Sequence, residues 1–95
     1  MGIVVRSTPE WEAELGRRIR ATRKQAHLTQ QELADRSNVS RSAIKYLEAG
    51  HGSSLATFIN VSRALGLDES LERVFATVST LSPLNLLETQ RKSGR

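Results

Sequence analysis

Apolar residues recur at Trp11, Leu15, Ile19 and Ala26, with polar and charged residues between them. That spacing predicts one helix, apolar on a single face and running to about residue 26. Its start is marked by Thr8-Pro9-Glu10. Thr8 is expected to accept a hydrogen bond from a free first-turn amide, and Pro9 loses no useful donor there. Glu10, Glu12 and Glu14 suit the positive end of the helix dipole. Residues 1–8 read as an arm ahead of the domain.

A second helix opens at Thr29, where Thr29 and Glu32 have the spacing of a reciprocal capping box, and it ends near Ser37. Ser40 opens a third helix through about Ala49, with Ile44 and Leu47 facing inward and Gly50 as the stop. Ser53 or Ser54 caps a fourth, with Leu55, Phe58, Ile59 and Leu65 on its core side, and Gly66 ends it. Asp68 is expected to cap a fifth, apolar at Leu71, Val74, Phe75 and Val78. The helical domain therefore spans 9–78. Residues 79–95 differ in character: Ser, Thr and Pro lead to Leu84, Leu86 and Leu87, and then to a basic end.

Residues 29–50 meet the physical demands of a helix-turn-helix. Ala34 is small where two helices would cross. Asn38 lies where the chain must turn with a positive φ, which Asn tolerates better than most residues. Val39, Ile44 and Leu47 form an apolar wedge against the second helix, and Leu33 packs from the other side. The third helix is left with an outward face of Arg41, Ser42, Lys45, Tyr46 and Ala49.

Composition and charge narrow the function. The chain has 95 residues, no cysteine and a net charge of +4. It is too short for a catalytic barrel or a doubly wound nucleotide fold. Without cysteine there is no disulfide and no cysteine-based zinc site. No apolar run exceeds three residues, so neither a membrane span nor a signal peptide is expected. The charge is uneven: residues 1–14 carry −2, 15–52 carry +5, 53–88 carry −2 and 89–95 carry +3. The basic segment coincides with the helix-turn-helix, which makes nucleic acid the expected partner. His27 and His51 have no carboxylate at ligand spacing, and Ser40 and Ser42 have no triad. Neither a metal, a cofactor nor an enzyme activity is expected.

The residues Leu28-Thr29-Gln30-Gln31-Glu32-Leu33-Ala34, Val39-Ser40-Arg41-Ser42, Ile44 and Leu47-Glu48-Ala49-Gly50 resemble the lambda-repressor, Cro and Xre-type DNA-binding domains. So do Leu15–Arg20 and Arg63–Leu67. The resemblance implies an all-α, five-helix lambda-repressor-like domain with a short C-terminal extension. It implies base contacts from Ser40, Arg41, Ser42, Lys45 and Tyr46 on a recognition helix in the major groove. Gln30 matches a residue that clamps a backbone phosphate. Arg23 and Glu48 match an ion pair bridging the first and third helices. Two positions depart from the family pattern: His27 stands where Gly is usual, and Thr22 replaces a usual Leu, thinning the core under the first helix.

Several of these roles have a plainer alternative. The run Arg17, Arg18, Arg20, Arg23, Lys24 is either a phosphate-facing stripe, with Arg20 and Lys24 as its contacts, or a solvated helix face. Arg41 and Lys45 read a base or touch a phosphate. Ser53, Ser54 and Thr57 donate to a phosphate, cap the fourth helix, or do both. Leu67, Leu71, Val74, Phe75 and Val78 are core, or the interface of a homodimer that would match a palindromic operator. The expected function is a cytoplasmic, homodimeric transcriptional repressor acting on double-stranded DNA. Proteins of this shape include antitoxins that bind a HipA-type toxin, here through residues 79–95, and restriction–modification controllers. A protein-binding adaptor that reads no DNA is the rival from another class.

Overall fold

The computed structural model describes residues 5–76. Val78, the tail 79–95 and residues 1–4 of the arm lie outside them. Five helices follow one another, with no strand among the described residues: α1 (Thr8–Gln25), α2 (Gln30–Ser37), α3 (Arg41–Glu48), α4 (Leu55–Ala64) and α5 (Asp68–Glu72).

Side-chain caps set the first four starts. Ser7 caps α1 in place of Thr8. Its Oγ accepts from the Glu10 N–H at 3.2 Å, and the Glu10 carboxylate accepts from the Ser7 N–H at 2.7 Å. Reciprocity decides between the two residues: Ser7 has a carboxylate three positions on, whereas Thr8 has Trp11. Thr29 and Glu32 form the same box, at 3.0 and 2.8 Å. The backbone N–H groups of Ser7 and Thr29 hold the Glu10 and Glu32 carboxyls below their ordinary value. Ser40 caps α3 by accepting from the Ala43 N–H, and Ser54 caps α4 by accepting from the Thr57 N–H, each at 3.0 Å.

The fifth helix departs from expectation at both ends. Leu67 is its N-cap, with no side-chain bond, and Asp68 lies inside the first turn, where it suits the dipole. The helix stops at Glu72. Beyond it the N–H groups of Arg73, Val74 and Ala76 bond three residues back. Phe75 then takes a positive φ of 61°. A residue with a side chain cannot continue a right-handed helix from that conformation. The other non-glycine residues with positive φ among those described are His27 (φ 60°) and Asn38 (φ 57°).

The core is built from Ile19, Leu33, Ala34, Ile44, Leu47 and Val61, with Val39, Phe58, Leu65 and Leu67 packed against it. α2 packs on both α3 and α4, and α1 packs on α3. Leu55 is a correction: it is 74% exposed, and α4 buries Val61 and Ser62 instead. Ser62 can be buried because its Oγ donates back to the Phe58 carbonyl at 2.7 Å, as Ser37 does to Leu33 at 2.6 Å. On α1 the buried residues are Gly16, Ile19 and Arg23, whereas Trp11 and Ala26 are exposed. The Arg6 guanidinium sits 4.8 Å from the Trp11 ring centroid.

Gly16 is the point of closest approach between α1 and α3. A Cβ added there would lie inside contact distance of the Leu47 carbonyl oxygen, with the Glu48 carbonyl 3.2 Å away. Helix propensity alone favours Ala over Gly by about 1 kcal/mol. Gly16→Ala is nevertheless expected to destabilise by about 1–3 kcal/mol, because backbone carbonyls cannot swing aside. Urea unfolding measures this, and an unchanged or raised midpoint would mean the two helices are further apart.

Candidate nucleic-acid interface

Burial of Ile44 and Leu47 fixes the rotation of α3 about its axis. Arg41, Ser42, Lys45, Tyr46 and Ala49 are all exposed as a result. Tyr46 is 60% exposed, and its ring lies 4.8 Å from the His51 ring at a 39° tilt. This contact gives the aromatic side chain a neighbour on an otherwise open face.

The starts of α3 and α4 converge. Ser40, Ser42 and Tyr46 from one, and Ser53, Ser54 and Thr57 from the other, line an open cleft of about 300 Å³. Each helix start offers backbone N–H groups that no intrahelical partner uses. Ser53 Oγ donates to the Ser54 carbonyl at 2.8 Å, and Ser54 Oγ is occupied in capping. The cleft is therefore walled by hydroxyls and helix starts, the chemistry that receives a phosphate.

The basic run on α1 divides into three parts. Arg17 and Arg18 both bind Glu14, at 2.6 Å each. Their hydrogen bonds, that from Arg17 first, hold the Glu14 carboxyl at about 2, well below 4.5. Arg23 is buried. Arg20 and Lys24, one turn apart, are exposed and have no ion-pair partner among the described residues.

The buried arginine organises a cluster. Arg23 Nε and Nη2 donate to the Glu48 carboxylate at 2.6 and 3.0 Å, a two-pronged pair whose side chains are 9% and 3% exposed. Arg23 Nη1 donates to the Leu28 carbonyl at 2.7 Å, and Gln30 Nε2 donates to Glu48 Oε1 at 3.1 Å. Sequence reasoning finds the Arg23–Glu48 pair but misses Gln30 as its third member. It also misses the Leu28 contact: the first depends on how α2 packs on α3, and the second on how the chain after α1 folds back to Arg23. One N–H of the Gln30 amide is thus committed to protein. No buried side-chain nitrogen or oxygen lacks a partner among the described residues.

Of the expected dimer residues, Leu67, Leu71 and Val74 line a groove with Leu15, Ile19 and Phe58, and Val78 lies outside the described residues. Leu67 and Leu71 are half-buried, while Val74 and Phe75 are 57% and 78% exposed. Among the described residues no three His, Asp or Glu gather at metal-binding distance, and no helix is long and apolar enough to cross a membrane. A family model described as Helix-turn-helix matches residues 19–71, more than half of the chain. No curated protein and no solved structure matches it.

The Glu14 pairing has a direct test. Its carboxyl should titrate near 2 by NMR, and near 4.5 once Arg17→Ala and Arg18→Ala are combined. The folded value is depressed, so any stability this carboxylate adds is present above the ordinary carboxylate range and is lost as pH falls toward 2. Titration near 4.5 in the unaltered chain would return both arginines to the pool of free cations.

Proposed function

We propose that this chain, which belongs to the Xre/lambda-repressor-like helix-turn-helix family of DNA-binding transcriptional regulators, is a homodimeric, sequence-specific repressor. The observation that carries this is the outward face of α3. All five of its positions are exposed, and its N-terminal end shares one cleft with the start of α4. With α3 in the major groove, Ser40, Arg41 and Ser42 face base edges, and Lys45 and Tyr46 follow one turn on. Arg41 is suited to a bidentate bond with guanine.

Phosphates flank that contact. Ser53, Ser54 and Thr57 hold one at the start of α4, and Arg20 and Lys24 hold others from α1. Gln30 reaches a backbone phosphate with the amide N–H that Glu48 does not use. Two copies meet through Leu67, Leu71, Val74, Phe75 and Val78, setting the recognition helices about 34 Å apart on a palindromic operator. Such a regulator works in the cytoplasm, on the nucleoid. The antitoxin reading, with a HipA-type partner on residues 79–95, draws on residues outside those described. The controller reading differs only in the genes regulated.

Footprinting on DNA around its own gene should reveal a protected inverted repeat. Arg41→Ala should relax discrimination at one base per half-site by about 1–3 kcal/mol. Lys24→Ala should weaken all sequences alike and flatten the salt dependence by about one unit of slope. Absence of any DNA binding at low salt would overturn the proposal in favour of a protein-binding adaptor.

A further inference from the structure

Two arginines outside the contacts assigned above meet in one open cleft of about 360 Å³, which Arg36 and Arg63 line together with Asn38 and Asn60. Arg36 stands in the last turn of α2 and Arg63 in the last turn of α4. Both are exposed, and neither has an ion-pair partner among the described residues. The carboxylates of α2 are engaged elsewhere. Glu32 accepts from the Thr29 N–H at 2.8 Å, and Asp35 accepts from the Gln31 amide at 2.9 Å. α4 carries no acidic residue. A cation suits the dipole at the end of its own helix. That accounts for each arginine singly, but not for two guanidiniums and two carboxamides around one opening.

This cleft adjoins the one at the starts of α3 and α4. The turn Asn38-Val39-Ser40 joins them on one side, since Asn38 lines the arginine cleft and Ser40 the other. α4 joins them on the second side. Thr57, Asn60 and Ala64 follow at spacings of three and four and so share one helix face. Thr57 lines the cleft at the helix starts, and Asn60 and Ala64 line the arginine cleft. From Thr57 to Ala64 the helix rises about 10 Å, a length over which one strand of duplex DNA carries about three phosphates.

We infer that the DNA strand held at the start of α4 continues into this cleft, where Arg36 and Arg63 bind further phosphates of the same strand. The guanidinium fork matches two phosphate oxygens, and the Asn38 and Asn60 amides donate beside it. The inference rests on the DNA-binding reading and deepens it: the backbone footprint extends past the base-reading end of α3 and along α4. Such contacts carry no sequence information, so they raise affinity and fix the path of the strand without changing which bases are read.

Salt titration of binding to a mixed-sequence duplex about three helical turns long tests this in the full chain. The variants are Arg36→Ala, Arg63→Ala, both together, and Arg73→Ala as the control. Arg73 pairs with Glu69 and lines no part of the cleft, so it reports the loss of a charge elsewhere. Each cleft substitution should lower the slope of log K against log salt by about one unit, and the pair by about two, with the urea midpoint unchanged. Arg73→Ala should leave the slope nearly as it is. Slope changes in the cleft variants no larger than that of the control, in a chain that binds DNA, would overturn this inference and leave the DNA-binding reading standing. Absence of binding at low salt by every form, the unaltered chain included, would overturn both.

Discussion

A carboxylate withdrawn from water must find hydrogen-bond donors, and in this fold that requirement falls on Glu48. An isolated buried charge costs several kcal/mol, so the surrounding helices are constrained to bring donors to it. Arg23 reaches it from α1 and Gln30 from the start of α2. The remaining arginine donor ties down the Leu28 carbonyl in the connection between those helices. Glu48 is the last residue of α3, so one polar cluster fixes three helices and their first connection. α3 can then present its polar face only in one orientation.

The backbone geometry around the cluster follows from the same constraint. A two-pronged contact at 2.6 and 3.0 Å requires α1 and α3 to lie close together. Gly16 permits this by leaving room for the Leu47 and Glu48 carbonyls. His27 takes the left-handed turn that delivers Leu28 to Arg23, and Asn38 takes the one that swings α3 across α2. By contrast, the pairs of Glu14 with Arg17 and Arg18 lie on the surface of a single helix and tie nothing distant together. Within the basic run of α1 they occupy Arg17 and Arg18, and Arg20 and Lys24 are left without an ion-pair partner among the described residues.

Features encoded within a few residues of one another are legible in the sequence. The Thr29–Glu32 box, the Ser40 cap and the positive φ of Asn38 all depend on local spacing and local chemistry. The Arg23–Glu48 pair is legible for another reason, because its surroundings resemble a known family. Three-dimensional rotation is harder to read. Leu55 fits the apolar period of α4, yet it occupies a first turn that projects past the core, while Val61 and the self-bonded Ser62 go inside. The start of α1 is misplaced by one residue because Ser7 and Thr8 are equally good caps until Glu10 is considered. A glycine in mid-helix is locally unfavourable, which is the signal that Gly16 gives of a close crossing. The short α5 has no such mark, since neither Gly nor Pro interrupts 68–78.

The central claim is that Arg23 and Glu48 are coupled and that the helix arrangement relies on their coupling. A double-mutant cycle in urea unfolding, with Arg23→Met, Glu48→Met and both together, tests it most directly. Each single substitution is expected to cost about 3–5 kcal/mol, because it leaves the opposite charge buried and unpaired. The double variant is expected to fall short of the summed losses by about 2 kcal/mol or more. Losses that add to within about 0.5 kcal/mol would contradict the account, since they would show the two residues acting independently.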